Sequence, residues 1–202
     1  MSHPLTQHAG TRRDAASTRR DAASTRPERS RLRRPALATA LVMAACLAPA
    51  HAAELSLLGG IDKGNEYSNA TLALQSAPLW QHNFAHSKLD VVLEASLGQV
   101  SSSTGSGSRH LTHVGLTPFA RWWFAPQTAM EFGIGANVFS GTTLGAKEIS
   151  TAYQFGDSIG LLHRFADTPW TVGARLTHYS NADIKRPNPG QDYLQLRVGY
   201  SF

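Results

Sequence analysis

The chain holds a single cysteine, Cys46. No disulfide can form within it. It also lacks any apolar run of about eighteen residues or more, which excludes a membrane-spanning helix. After Ala53 no segment sustains helical periodicity. Excess charge is missing too, once it is located. Residues 1–52 hold nine Arg against three acids, whereas the remaining 150 residues hold ten basic and eleven acidic side chains. The formal +5 therefore belongs to the N-terminal segment, and no nucleic-acid partner is expected for the rest. His82 with His86, and His110 with His113, lack a third ligand, so no metal and no cofactor are expected. Gly133-x-Gly135 lies inside an alternating stretch with no helix after it, which is not a nucleotide loop.

The N-terminal segment divides in two. A perfect repeat, TRRDAAS at 11–17 and 18–24, has no apolar heptad positions beyond Ala, so it is no coiled coil. An apolar stretch follows at 36–50, then Ala50-His51-Ala52, an A-x-A cleavage pattern. The reading is a disordered basic extension plus a cleaved signal peptide over 1–52, and a folded domain over 53–202. Lipoprotein processing at Cys46 is the alternative, but Met43 and Ala44 make a poor lipobox.

What the folded part has is alternation with period two. Met130, Phe132, Ile134, Ala136 and Val138 oppose Glu131, Gly133, Gly135 and Asn137, and other stretches repeat the pattern. The glycines leave room on the polar side. Strands are expected at 54–62, 71–80, 87–100, 109–124, 128–140, 149–165, 170–181 and 191–202. The second loses phase near Ser76–Pro78, and the sixth carries Asp157 among apolar neighbours. A soluble sandwich alternates as well. Three features favour the membrane. Connections at 125–127 and 166–169 are tight, while those at 63–70, 101–108, 141–148 and 182–190 are longer. Trp80, Trp122, Trp123, Phe124, Phe165, Trp170 and Tyr200 gather near strand ends, as interfacial girdles do. Phe202 closes the last strand, like an outer-membrane insertion signal. The fold class is all-β: an eight-stranded antiparallel transmembrane β-barrel, multi-pass in the outer membrane and in contact with its lipid.

The last hairpin carries the chemistry. Trp170, Val172, Ala174, Leu176, His178 and Ser180 share one face of its first strand. Asp192, Leu194, Leu196, Val198, Tyr200 and Phe202 share one face of its second. A base, a hydroxyl and a carboxylate thus emerge on otherwise apolar faces, near the loop. With a periplasmic N-terminus this is the outer leaflet. An ionisable residue in the membrane is a functional hypothesis by default. His can take the proton of a Ser hydroxyl near neutral pH, and an acid can fix the imidazole tautomer. The plain alternative is a structural or adhesive barrel whose interface tolerates these polar groups.

His178-Tyr179-Ser180-Asn181-Ala182, then Lys185, Pro187-Asn188 and an acid fourteen residues after the His, resembles the lipid A 3-O-deacylases (PagL-like). The likeness is sharpest over 174–192. It implies an outer-membrane esterase that hydrolyses the 3-O-linked hydroxyacyl chain of lipid A, with lipopolysaccharide as substrate. It implies His178 as general base, Ser180 as nucleophile and Asp192 as the orienting acid. The family has Glu there, one methylene longer, so Asp183 and Asp157 are the substitutes to check. It also implies oxyanion stabilisation just after the Ser, at Asn181 and the backbone near Asp183, with support from Asn188. A lipid A acyltransferase would use the same acyl-enzyme with another acceptor.

The mature protein is expected to start at Ala53. N-terminal sequencing of membrane-extracted protein checks this; a start upstream of Cys46, or a lipid on Cys46, would overturn it.

Overall fold

The computed structural model describes residues 52–202, so the expected extension and signal peptide fall outside the described residues apart from Ala52. The strands are β1 (Ala52–Ile61), β2 (Tyr67–Ser76), β3 (Trp80–Asn83), β4 (Lys88–Ser102), β5 (His110–Ala125), β6 (Thr128–Phe139), β7 (Thr143–Leu144), β8 (Lys147–Glu148), β9 (Tyr153–Arg164), β10 (Trp170–Ser180) and β11 (Gln191–Ser201). Eight of them form one antiparallel sheet in the order β2-β1-β11-β10-β9-β6-β5-β4, and β2 pairs with β4 to close it. Closure leaves no unpaired edge for the bilayer. β3 extends the ladder along the start of β4, and β7 with β8 makes a small hairpin between β6 and β9.

Alternation decides the two faces. Leu57, Ile134, Leu194 and Leu196 stand outward, while Glu54, Thr71, Glu94, Glu131, Arg175 and Arg197 are buried inside. Two strands differ from expectation. β2 runs four residues earlier than the expected 71–80. It leaves the ladder at Ser76, whose Oγ accepts from Leu93 N at 3.0 Å and donates to Ala77 O at 2.7 Å. Pro78 follows, and the chain rejoins β4 only as β3. β9 begins at Tyr153 rather than 149, because Ile149 and Ser150 belong to the preceding loop, with Ser150 at φ 61°. Trp123 is a correction to the girdle. Its neighbours Trp122 and Phe124 face outward, so period two turns Trp123 inward, where Nε1 donates to Asp90 Oδ2 at 2.8 Å. Trp80, Phe165, Trp170 and Tyr200 do face outward.

Ion pairs fill the lumen. Arg197 reaches Glu54 at 2.6 Å and Glu131 at 3.2 Å. Arg175 pairs with Glu131 at 2.7 Å and grips Glu94 through both terminal nitrogens, at 2.7 and 2.9 Å. Gln75 links Glu94 to Arg121, which pairs with Asp90 at 2.7 Å. Gly133 matters to this packing, since a Cβ there would meet the Phe119 ring at 2.6 Å. Near the loop end the filling turns apolar: Tyr67, Val100, Leu111, Phe139, Leu144, Ile149, Tyr179 and Tyr193 form one buried cluster.

Removing one member of a buried ion network strands its partners. Arg175→Met should therefore destabilise the barrel by about 3–5 kcal/mol, read as a lower denaturant midpoint by tryptophan fluorescence in micelles. A midpoint equal to that of the unmodified protein would show that Glu94 and Glu131 do not depend on it.

Candidate active site

The site grows out of the β10–β11 hairpin. Residues 178 to 181 alternate out, in, out, in. Tyr179 points inward and packs on Phe139 at 5.4 Å and on Tyr193 at 6.1 Å between ring centroids. Tyr193 is fully buried and Tyr193 Oη donates to Gln191 Oε1 at 2.7 Å. These inner aromatics fix the backbone from which His178, Ser180 and Asp192 project the other way. His178 and Asp192 are register partners across β10 and β11. His178 Nδ1 donates to Asp192 Oδ1 at 2.7 Å. An ionised carboxylate only accepts, so Nδ1 carries a proton, and in the neutral form of the ring the lone pair is on Nε2. The one-methylene difference from Glu thus costs no reach here. Ser180 follows two residues along the same outer face; its register partner on β9 is Phe155. Ser180 Oγ makes no side-chain hydrogen bond among the described residues, and substrate-free nucleophile–base contacts are commonly loose.

Gly190 is a site residue that the sequence reading missed. It lies just before β11 at φ +68°, and a Cβ on it would stand 2.6 Å from His178 Cε1. The backbone of residue 190 is thus a wall against the imidazole ring. The Pro189-Gly190 turn signal was visible in the sequence, but not what it faces.

The loop 181–190 is folded on itself. Asn181 is buried, and its Nδ2 donates inward to Ile149 O at 3.2 Å and to Lys185 O at 2.8 Å. Its backbone N–H donates to Asn188 Oδ1 at 3.1 Å. Both kinds of Asn181 donor are thus spent inside the protein, and Asn188 acts on the loop rather than on the outer face. Ile184 N bonds back to Asn181 O at 3.0 Å, closing a turn with Ala182 at φ 51° and Asp183 at φ 59°. Two positive φ values mark a type I′ turn, which non-glycine residues enter only at a cost. The amides of Ala182 and Asp183 carry no hydrogen bond among the described residues. The Asp183 side chain accepts from Arg186 Nη2 at 3.0 Å and from Asn188 Nδ2 at 3.3 Å. The Arg186 and Asn188 hydrogen bonds hold its carboxyl below the usual carboxylate range. That contribution to loop order is complete at neutral pH and is lost only as pH falls through the lowered value. Asp183 does not reach His178, so the acid at the imidazole is Asp192. The neighbouring loop supports this one: Ser150 Oγ donates to Pro187 O at 2.7 Å.

The lipid A 3-O-deacylase (PagL) family model matches residues 68–201, a span that includes the whole hairpin. The chain belongs to the lipid A 3-O-deacylase family. It is 39% identical over 142 residues to the lipid A deacylase PagL of Bordetella bronchiseptica, covering 69% of this chain and 79% of that one. It is 44% identical over 67 residues to the lipid A deacylase PagL of Pseudomonas aeruginosa, covering 33% of this chain and 38% of that one. The crystal structure of the outer membrane enzyme PagL matches with a TM-score of 0.65 at 26% identity, over 74% of this chain and all of that one. The protein is an outer-membrane β-barrel enzyme of the ester hydrolase class.

Gly190→Ala should push the imidazole off its position. A displacement near 1 Å can cost roughly a hundredfold in rate, so ester hydrolysis should fall by about that much while heat-modifiable gel migration still reports a folded barrel. A folded Gly190→Ala protein with full activity would show that the ring tolerates the methyl group.

Proposed function

We propose that this enzyme removes the ester-linked acyl chain at the 3-position of lipid A by a Ser–His–Asp mechanism. One observation carries the reading: a histidine–carboxylate pair at 2.7 Å, with a serine two residues on, on the lipid-facing surface of the barrel. Membership of the family and the outward direction of the three side chains support the substrate. An acyl chain embedded in the outer leaflet meets the outside of a barrel and has no need to enter it.

The chemistry follows from the geometry. Ser180 Oγ attacks the acyl carbonyl as His178 Nε2 takes the hydroxyl proton. Asp192 holds the Nδ1–H tautomer and stabilises the imidazolium that forms. We assign the amides of Ala182 and Asp183 as the donors to the tetrahedral oxyanion; they follow the serine closely and have no partner among the described residues. This is the role of the segment after the serine; the side chain of Asn181 instead braces the loop. The bond from the carbonyl carbon to the sugar oxygen then breaks, and His178 returns its proton to that oxygen. Water, deprotonated by His178, attacks the acyl-enzyme and releases the fatty acid, restoring Ser180.

Mass spectrometry of lipid A from membranes with and without the protein tests the reading. Loss of one acyl group is expected; a gained acyl group would mean transfer. Ser180→Ala and His178→Ala should each reduce the rate by roughly a thousandfold or more while the barrel folds. Asp192→Ala should lose much of it, and Asp192→Glu should keep it. Full activity in folded Ser180→Ala would end the mechanism as drawn, whereas full activity in Asp192→Ala alone would end only the role of the acid.

A further inference from the structure

The lumen acids are divided among the buried arginines. Arg197 takes Glu54 and Glu131, Arg175 takes Glu94 and Glu131, and Arg121 takes Asp90. Arg164, the last residue of β9, is left without an acid among the described residues. It stands at the end of the barrel opposite the active site. It pairs with Thr171 at the start of β10, and its backbone N–H donates to Gln127 O in the tight β5–β6 turn at 2.8 Å. This end faces the periplasm. The Arg164 side chain makes no hydrogen bond among the described residues, and its Nε is buried.

The surroundings make that position costly. The Arg164 guanidinium lies 4.8 Å from the centre of the Trp123 ring, with Lys88 at 5.2 Å and Arg121 at 5.5 Å. Asp90 stands among these cations with both oxygens engaged. Its Oδ1 accepts from Arg121 at 2.7 Å, and its Oδ2 accepts from Trp123 Nε1 at 2.8 Å and meets Lys88 at 3.5 Å. Three cations against one carboxylate leave two positive charges in excess. Like charges gathered at a partly desolvated rim repel one another unless an anion joins them. There is room for one. Lys88 and Arg164 both line two cavities of about 280 Å³ each, one bordered by Arg121 and the other by Trp123. A water occupies about 30 Å³ of liquid, so either cavity admits a tetrahedral oxyanion with solvent around it. Glu54 borders the first cavity, but Arg197 holds it at 2.6 Å.

We propose that Lys88 and Arg164 form a phosphate-binding site at the periplasmic mouth of the barrel. A phosphate monoester carries about −1.5 to −2 near neutral pH, which matches the excess better than the single charge of a carboxylate. A guanidinium presents paired N–H donors to two phosphate oxygens, and an ammonium adds a point charge. Stacking on Trp123, itself fixed through Nε1, leaves Arg164 little freedom to lose on binding. Phosphate reaches this end of the barrel from two sources, soluble phosphates of the periplasm and the headgroups of inner-leaflet phospholipids. The site includes none of His178, Ser180 and Asp192, so the proposal stands apart from the hydrolytic reading.

Isothermal titration calorimetry of the folded protein in uncharged dodecyl maltoside micelles, at fixed ionic strength, tests it. Inorganic phosphate and short-chain phosphatidylglycerol are the two probes, and the tighter binder identifies the source. A hydrogen bond to a charged group is worth roughly ten- to a hundredfold, so Arg164→Gln should weaken binding of that probe by about this factor. Lys88→Gln, at a partly exposed position, should weaken it about tenfold and keeps the test open if the Arg164 variant does not fold. Heat-modifiable gel migration reports folding of both. Failure of either probe to bind the unmodified protein would overturn the proposal only when the other fails as well. Unchanged affinity in folded Arg164→Gln, or in Lys88→Gln where the first variant does not fold, would overturn it too, because the anion would then sit elsewhere.

Discussion

The clasp of Arg175 and Arg197 on the acids of the opposite wall holds this barrel together where it matters most. The two arginines lie on β10 and β11, the strands that carry the site, and their partners lie on β1, β4 and β6. A barrel in lipid has no water at mid-depth to solvate its inner face, so every luminal charge must be met by another. Meeting them across the lumen ties the last hairpin to the far wall. Glu131 accepts from both arginines and so joins the two site strands through one carboxylate. The outer faces of these strands can then afford polar groups, because the inner faces hold the backbone still.

Period two also explains why a site on the outside of a barrel is built from neighbours in sequence. His178 and Ser180 project outward because Tyr179 and Asn181 are needed inward, one for the aromatic cluster and one for the loop. Asp192 projects outward between Gln191 and Tyr193 for the same reason. The arrangement fixes geometry cheaply, since a strand sets the direction of every second side chain. It also exposes His178 and Ser180 on the lipid-facing side of the barrel.

Much of this was legible in the sequence. The eight barrel strands, their faces and the shared outward placement of His178, Ser180 and Asp192 follow from alternation. What was not legible depended on contacts between distant segments. The shift of β2 from 71–80 to 67–76 turns on Tyr67 pairing with Ser102 and on Ser76 leaving the ladder, neither of which a local pattern reports. Trp123 sits between two outward aromatics, and composition grouped it with them; only its bond to Asp90 gives it a place inside. The Asn181 side chain looked like part of the outer site until Ile149 and Lys185 were seen to take its donors. Gly190 reads as a turn residue, and its nearness to His178 needs three dimensions.

The outer loops are stitched to one another in sequence. Ser103 N bonds Glu66 O, Gly107 N bonds Gly145 O, and Ser150 Oγ bonds Pro187 O. These links run around the mouth from the β1–β2 loop to the β10–β11 loop, and among the described residues no hydrogen bond joins those two end loops across β11 and β1. The rim is therefore a collar with an opening rather than a ring. The loop bearing the strained turn is its last link, braced from the β9 side and unbraced toward β1. Any widening of the mouth must be felt first at that free end, beside the carboxylate that holds the imidazole.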